Sequence, residues 1–354
     1  MAEPRRANVV GLGLIGGSIS RALVDGGWHV SGHDLDDAMA TRAVDSGYCS
    51  AIGIDDGAEI SFVAVPALAV ADVVKELLAS TTGVVTDVAS VKGPVVEGVD
   101  DRRFVAGHPM AGSEQDGLDG SDPEMFLGAA WVLTPTETTD DQTFAKVASV
   151  VRTLGADVVA LPPGRHDEMV AMVSHVPHLA AAALMQLADE RAIDHSALLR
   201  LAAGGFRDMT RVAAGHPAMW PDICAENRTA IVGVLDALIG RLHEVRAIVD
   251  EVDRARLLEM LHAARLARAN LPGRATDPEF LAEIRAPIPD RPGAAAEIFT
   301  LAAELGVNLL DFEVAHSPEG DFGVMIMVVD LEAADLFRGG LMARGFRPGV
   351  RSLE

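Results

Sequence analysis

Short apolar, β-branched runs alternate with stretches of helical periodicity over residues 7–161. The runs predict strands at Ala7–Val10, His29–Gly32, Ile60–Val65, Val84–Asp87, Phe104–Ala106, Ala130–Leu133 and Asp157–Leu161. Helical patterns such as Ile15–Val24 and Leu68–Leu78 lie between several of them. Strand–helix–strand alternation implies a parallel sheet covered on both faces. The pattern changes from about Gly164 to Asn270, where no strand is evident. Ile231, Val234, Leu235, Leu238, Leu242 and Val245 recur at spacings that make one helix stripe, and Leu257, Leu258, Leu261 and Leu266 continue it. A wholly helical region with this many stripes is expected to bury one against a second copy, as a homodimer.

The polar stretch Leu271–Pro278 reads as a linker. Beyond it the order is strand (Leu281–Ala286), helix (Gly293–Leu305), strand (Asn308–Ala315), strand (Phe322–Asp330), helix (Ala333–Arg344), strand (Phe346–Arg351). That βαββαβ order is the split, ferredoxin-like unit. The expected architecture is an α/β Rossmann-type domain over 1–162, an all-α domain over 163–272 and the ferredoxin-like unit over 280–354.

Composition narrows the classes. A chain of 354 residues with 49% apolar residues is neither disordered nor a single small domain. No run of about 18 uncharged apolar residues is evident, so no membrane span is expected. The start, MAEPRRANVVGLG, lacks the order of a secretory signal. Only 29 Lys and Arg face 52 Asp and Glu, which argues against a nucleic-acid partner. Two cysteines, Cys49 and Cys224, cannot form a disulfide framework and read as small buried apolar residues. The expected location is the cytoplasm.

The first chemical motif is Gly11-Leu-Gly13-Leu14-Ile15-Gly16-Gly17, between the first strand and the first helix. Its glycines permit a tight turn, close approach of backbone to a pyrophosphate, and close packing of helix on strand. The amides of Leu14 and Ile15 at the helix start then face phosphates, and Ser18 adds a hydroxyl. Asp34 ends the second strand, 18 residues beyond Gly16. A carboxylate there accepts from a ribose diol and repels a 2′-phosphate, which favours NAD over NADP.

In doubly wound sheets, ligands bind beyond the carboxyl ends of the strands. The fourth strand is followed by Asp87-Val-Ala-Ser90-Val-Lys92, and the fifth by Gly107-His108-Pro109-Met-Ala-Gly-Ser-Glu114. His108 falls where a substrate beside a nicotinamide would sit. An imidazole with an ordinary pKa near 6.5 can take a hydroxyl proton at neutral pH. Lys92 reads as a local charge balance or a helix start.

These blocks resemble those of the prephenate/arogenate dehydrogenases of tyrosine biosynthesis. The resemblance continues through Ser174-His175-Val-Pro177-His178, Gly205-Phe-Arg207-Asp208-Met-Thr-Arg211, Trp220-x-Asp222-Ile and Glu226-Asn227-Arg228. It implies an oxidative decarboxylation in which hydride passes to NAD, CO2 departs and the ring becomes aromatic. It further implies His108 as the catalytic base, with Ser90 on the same hydroxyl. Arg211 would hold the side-chain carboxylate, with Arg207 as its nearby competitor. Glu114 and Asp208 would be acidic members of a polar gate around Arg211. His178 would contact substrate, His175 would support it, and Ser174 would orient them. The family uses no metal, although His175 and His178 lie three apart.

The last unit resembles an ACT domain through Pro289-Asp290-Arg291-Pro292-Gly293 and Gly306-Val-Asn308. That implies an aromatic amino acid effector such as tyrosine. Two rival functions remain at this point. A β-hydroxy-acid dehydrogenase commonly uses a Lys in its second domain, and no Lys follows Lys146 here. A non-enzymatic sensor of NAD and amino acids would not need His108, Ser90 and Arg211 together.

Overall fold

The computed structural model describes residues 3–113, 115, 117–192, 201–215, 217–269, 280–289, 291, 293–316 and 322–352. The chain forms two compact units, Met1–Glu244 and Val245–Glu354.

In the first unit, β1 (Arg6–Val10), β2 (His29–His33), β3 (Ala51–Ile52), β4 (Ile60–Val63) and β5 (Val84–Asp87) form a parallel sheet in the order β3-β2-β1-β4-β5. Between them run α1 (Leu14–Asp25), α2 (Asp37–Asp45) and α3 (Ala67–Ser80). The buried apolar faces of α1 and α3 enter two different apolar clusters with the sheet strands, as a doubly wound sheet requires. The expected strands are found here, and the two-residue β3 was too short to leave a period.

The expected single parallel sheet is not what continues. After α4 (Gly93–Gly98), a separate three-stranded sheet holds β6 (Ala106–Pro109), β7 (Ala130–Thr134) and β8 (Asp157–Ala160). β6 runs antiparallel to β7, with His108 opposite Val132. A lone parallel bridge from Val85 to Phe104 ties this sheet to the first. An apolar run shows that a strand exists but not its partner. The expected Phe104–Ala106 strand therefore lies further along, and His108 sits on a strand and not in the loop beyond one.

Beyond α5 (Asp141–Thr153), the helical part of this unit opens with α6 (Pro163–Val170) and α7 (Val176–Ala192). They are joined through a wider π-helical turn at Ala171–His175. Pro177 has no N–H for the carbonyl four residues back, and a widened turn accommodates that loss. By length and composition alone this helix could cross a membrane, contrary to the sequence reading. Its polar residues His166, Asp167 and His175 are nevertheless buried against protein partners. The helical part continues with α8 (Gly204–Thr210), α9 (Trp220–Glu226) and α10 (Arg228–Asp250), which carries the chain across the boundary at Glu244.

The second unit holds the end of α10, then α11 (Arg254–Ala269), β9 (Leu281–Pro289), α12 (Ala294–Leu305), β10 (Asp311–His316), β11 (Phe322–Asp330), α13 (Leu331–Ala343) and β12 (Gly349–Ser352). Its sheet is antiparallel in the order β10-β11-β9-β12, with Ile284, Met327, Ile298 and Phe337 in one core. The expected βαββαβ succession is present. The expected linker falls outside the described residues. Cys49 is buried as expected, whereas Cys224 is only half-buried; both are free thiols.

The glycine loop shows how close the β1–α1 junction is. A Cβ on Gly16 would lie 1.8 Å from the Gly11 carbonyl oxygen, whereas one on Gly13 would meet nothing within 4 Å. Gly16→Ala is expected to cost about 1–3 kcal/mol, as overpacking does, and to lower Tm by several degrees. Gly13→Ala should leave Tm unchanged. Thermal denaturation of the two variants checks this, and equal Tm values would refute the packing account.

Candidate active site

The β1–α1 turn is shaped for a dinucleotide. Gly11 has φ +89°, in the region open to glycine, and a Cβ there would strike the Ala64 carbonyl at 2.3 Å. Gly13 sits at the helix start with no side-chain cap, so the first amides of α1, Leu14 and Ile15 among them, have no partner within the helix. The open space over Gly13 is what a phosphate needs to reach those amides. Asp34 accepts from the Leu12 amide at 2.7 Å and the Asp36 amide at 3.0 Å, which fixes its carboxylate beside the loop. Ser18 differs from expectation. It is buried, donates to the Leu14 carbonyl at 2.7 Å and accepts from Asp122 N at 2.9 Å, so it has no hydroxyl to spare.

The second cluster is built around Lys92, which is fully buried. Its ammonium pairs with the Asp87 carboxylate and donates to the Gly107 carbonyl at 2.7 Å. Its own amide, and that of Gly93, donate to Asp167 at 2.8 and 2.7 Å. Lys92 thus both balances charge and begins α4, as expected. Burial lowers its pKa, and Asp87 works against that loss.

His108 projects from β6 into this cluster, and its Nδ1 lies 2.8 Å from His166 Nε2. His166 Nδ1 in turn lies 2.8 Å from Asp167 Oδ1. Burial first, with the Lys92 ammonium and the neighbouring rings of His166 and His175 acting the same way against a second proton, holds His108 well below the ordinary imidazole pKa of 6.5. His108 is therefore neutral at physiological pH. Burial opposes the Asp167 carboxylate as well, but bonds from His166 and the amides of Lys92 and Gly93 outweigh it and lower its pKa.

A chain of contacts runs on from Asp167. Asn227 Nδ2 donates to the Asp167 carbonyl at 2.9 Å and lies 3.2 Å from His175 Nδ1. The His175 ring meets Trp220 edge-on at 6.1 Å, and Trp220 stacks on His178 at 3.6 Å and 16°. A Cβ on Gly215 would lie 3.5 Å from His178 Cε1, and Gly215 closes the short 3-10 turn Arg211–Ala214. The structure therefore joins His108, His175 and His178 in one contiguous array that ends beside the Arg211 turn. Ser174 lies in the π turn and Ser90 in the loop between Asp87 and Lys92, both half-buried. Asp208 and Arg207 are exposed on α8, one turn before Arg211, which is also exposed. Glu114 falls outside the described residues.

Sequence reading missed His166, Asp167 and Asn227 as site members. Asn227 stood in a quoted block without a role. The pair His166-Asp167 stands in the polar helix α6, and no local period shows that it folds back onto a strand 58 residues earlier.

Comparison with known proteins gives consistent matches. The nucleotide-binding domain of prephenate dehydrogenase matches residues 19–160, and its dimerization domain matches 162–263. The chain is 31% identical over 335 residues to the prephenate dehydrogenase of Bacillus subtilis, covering 90% of each. It is 31% identical to the cyclohexadienyl dehydrogenase of Zymomonas mobilis, over 74% of this chain and 94% of that one. Among solved structures, the prephenate dehydrogenase of Aquifex aeolicus with hydroxyphenyl propionate and NAD+ superimposes with TM-score 0.71 at 27% identity, over 77% of this chain and 99% of that one. The arogenate dehydrogenase of Synechocystis does so with TM-score 0.66 at 31% identity, over 74% and 98%.

The buried cluster makes a pH prediction. Burial first, and the neighbouring His166, bring His175 down to about 4, while Asp167 pulls the other way. An unfolded chain binds this proton near 6.5, so between about 4 and 6.5 it holds more protons than the folded one. Stability is therefore full above pH 6.5 and falls on acidification, by on the order of 3 kcal/mol from this group. Denaturant titrations from pH 4 to 7 should show a shallower pH dependence in His175→Gln; equal slopes would refute the assignment.

Proposed function

The chain belongs to the prephenate dehydrogenase family, and from that premise we propose how its own residues carry the reaction. The protein performs an NAD-dependent oxidative decarboxylation in tyrosine biosynthesis, taking prephenate to 4-hydroxyphenylpyruvate. Arogenate, which differs by an ammonium in place of the keto group, is the second substrate to test. The observation that carries the reading is a neutral His108 held by a buried partner on a strand end beside the dinucleotide domain's sheet.

Gly11, Gly13 and Gly16 shape the cofactor cradle, the amides of Leu14 and Ile15 receive the pyrophosphate, and Asp34 takes the ribose diol. Bound NAD supplies the hydride acceptor. As hydride leaves the ring carbon, His108 takes the proton from the hydroxyl on that carbon. Ser90 orients that hydroxyl. The bond to the ring carboxylate then breaks, CO2 leaves, and its electron pair runs through the ring to the new carbonyl oxygen. The resulting phenolate recovers its proton from His108. Hydroxyl hydrogen thus ends on the phenol, and no proton is released overall.

Arg211 holds the side-chain carboxylate through its planar fork of donors, with Asp208 and Glu114 as the acidic gate. His178, held flat by Trp220, contacts the substrate; His175 and Ser174 support it. The family matches meet between residues 160 and 162, which supports domains at 1–162 and 163–272. The matched dimerization domain, and Ile239 and Leu242 exposed on α10, support a homodimer. Free cysteines fit a cytoplasmic protein.

For residues 280–354 the strand order β10-β11-β9-β12 supports an ACT-like regulatory domain binding an aromatic amino acid. The expected ligand turn includes Asp290 and Pro292, which lie outside the described residues. Titration with L-Tyr and L-Phe, read as heat and as activity, should give binding and inhibition by one of them. Silence to both would remove the regulatory reading.

NADH absorbance on mixing protein and NAD with prephenate, then with arogenate, tests the reaction and ranks the substrates. His108→Asn should bind NAD normally and lose turnover by roughly 100- to 10,000-fold. Arg211→Ala should chiefly raise KM. Undiminished turnover in the His108 variant would reject the base.

A further inference from the structure

We infer that His166 and Asp167 are positioning residues that fix the tautomer of His108, leaving its Nε2 as a bare lone pair for the substrate hydroxyl. The inference rests on the reading of His108 as the base. The direction of each bond follows from Asp167. Its Oδ1 accepts from Lys92 N at 2.8 Å and its Oδ2 from Gly93 N at 2.7 Å, and an ionised carboxylate has only acceptors to offer. His166 Nδ1, 2.8 Å from Oδ1, must therefore carry a hydrogen. A neutral imidazole has one N–H, so His166 Nε2 is an acceptor. His108 Nδ1, 2.8 Å from it, must then be the donor, and the remaining nitrogen of His108 carries no hydrogen.

The arrangement works only while His166 is neutral. A cationic His166 would donate to His108 Nδ1 and drive the hydrogen of His108 onto Nε2, where it blocks the base. The charged and titratable groups around the pair are Lys92 and Asp87 from the β5–α4 connection, Asp167 beside it on α6, His175 from the π turn and Glu226 from α9. Once His108 has taken the substrate's proton, its Nδ1–H still points at His166 Nε2. Asp167 then offsets the new positive charge through His166.

The test combines spectroscopy with kinetics. In the histidine-labelled wild-type holoenzyme, nitrogen NMR near neutral pH should show His108 protonated at Nδ1 and bare at Nε2. His108→Asn identifies the signal. His166→Gln should lose at least about 100-fold in kcat, with NAD affinity and KM within about threefold. The acid limb of its kcat/KM profile should move to lower pH, because protonated His108 loses its link through His166 to the Asp167 carboxylate. A role confined to packing would lower Tm without moving that limb. Hydrogen found on Nε2 in the wild type, or near-normal turnover in His166→Gln, overturns the inference while the base reading stands. If His166→Gln does not fold, the wild-type spectrum alone decides. Full turnover in His108→Asn removes the base reading, and the inference with it.

Discussion

An ammonium sealed from water is the constraint on which the site depends. Lys92 has no solvent exposure, so its charge must be met wholly by protein. Asp87 meets it from the end of β5, and Asp87 is itself saturated by amides of Ala89 at 2.9 Å and Gly107 at 3.1 Å. Gly107, which also offers its carbonyl to the ammonium, is the residue before His108. The backbone of Lys92 then caps Asp167 on α6. One residue thereby fixes the strand that carries the base, the sheet that forms the cofactor side and the helix that carries the supporting pair. Removing one partner of such a pair leaves an unpaired buried charge, which typically costs about 3–5 kcal/mol.

The same cluster sets the chemistry. Burial and the neighbouring Lys92 ammonium suppress protonation of His108, and the bonds to Asp167 keep that carboxylate ionised. The two effects are complementary: a neutral acceptor at the substrate, and a stable anion two bonds behind it. Stability is the cost, since His175 and His108 are both neutral in the fold and both prefer to charge in the unfolded chain at mildly acidic pH. Active sites commonly hold such groups away from their relaxed protonation states.

What was legible in the sequence follows from how local each signal is. The glycine loop, Asp34 and the alternation of strands and helices are written within a few residues of one another, and each is found in place. The antiparallel pairing of β6 with β7 was not legible, because partner choice depends on strands that share no local pattern. His108 stood out only by its neighbours Gly107 and Pro109 at a strand end. His166 and Asp167 did not stand out, since polar residues are ordinary in a short helix such as α6. Their meaning comes from Lys92 and His108, 75 and 58 residues away. Ser18 failed the other way, because a hydroxyl in the loop looked available until Asp122 and Leu14 claimed it.

Burial of the base follows from the proton balance of the reaction. A base that discharged each proton to solvent would need an exit, and an array this enclosed would slow it. Here the substrate needs the same proton back once its ring is aromatic, so the base has only to hold it between hydride loss and CO2 loss. His108 is well suited to that. Its low proton affinity makes it a prompt donor to a phenolate, whose ordinary pKa near 10 makes it the stronger base. The step that takes the proton is helped by hydride departure, which acidifies the hydroxyl as carbonyl character grows. A base tuned upward would ease the first transfer and hinder the return. The depressed His108 therefore trades some strength in the first step for a rapid second one, and the fixed His166–Asp167 bonds keep the same nitrogen facing the same oxygen through both.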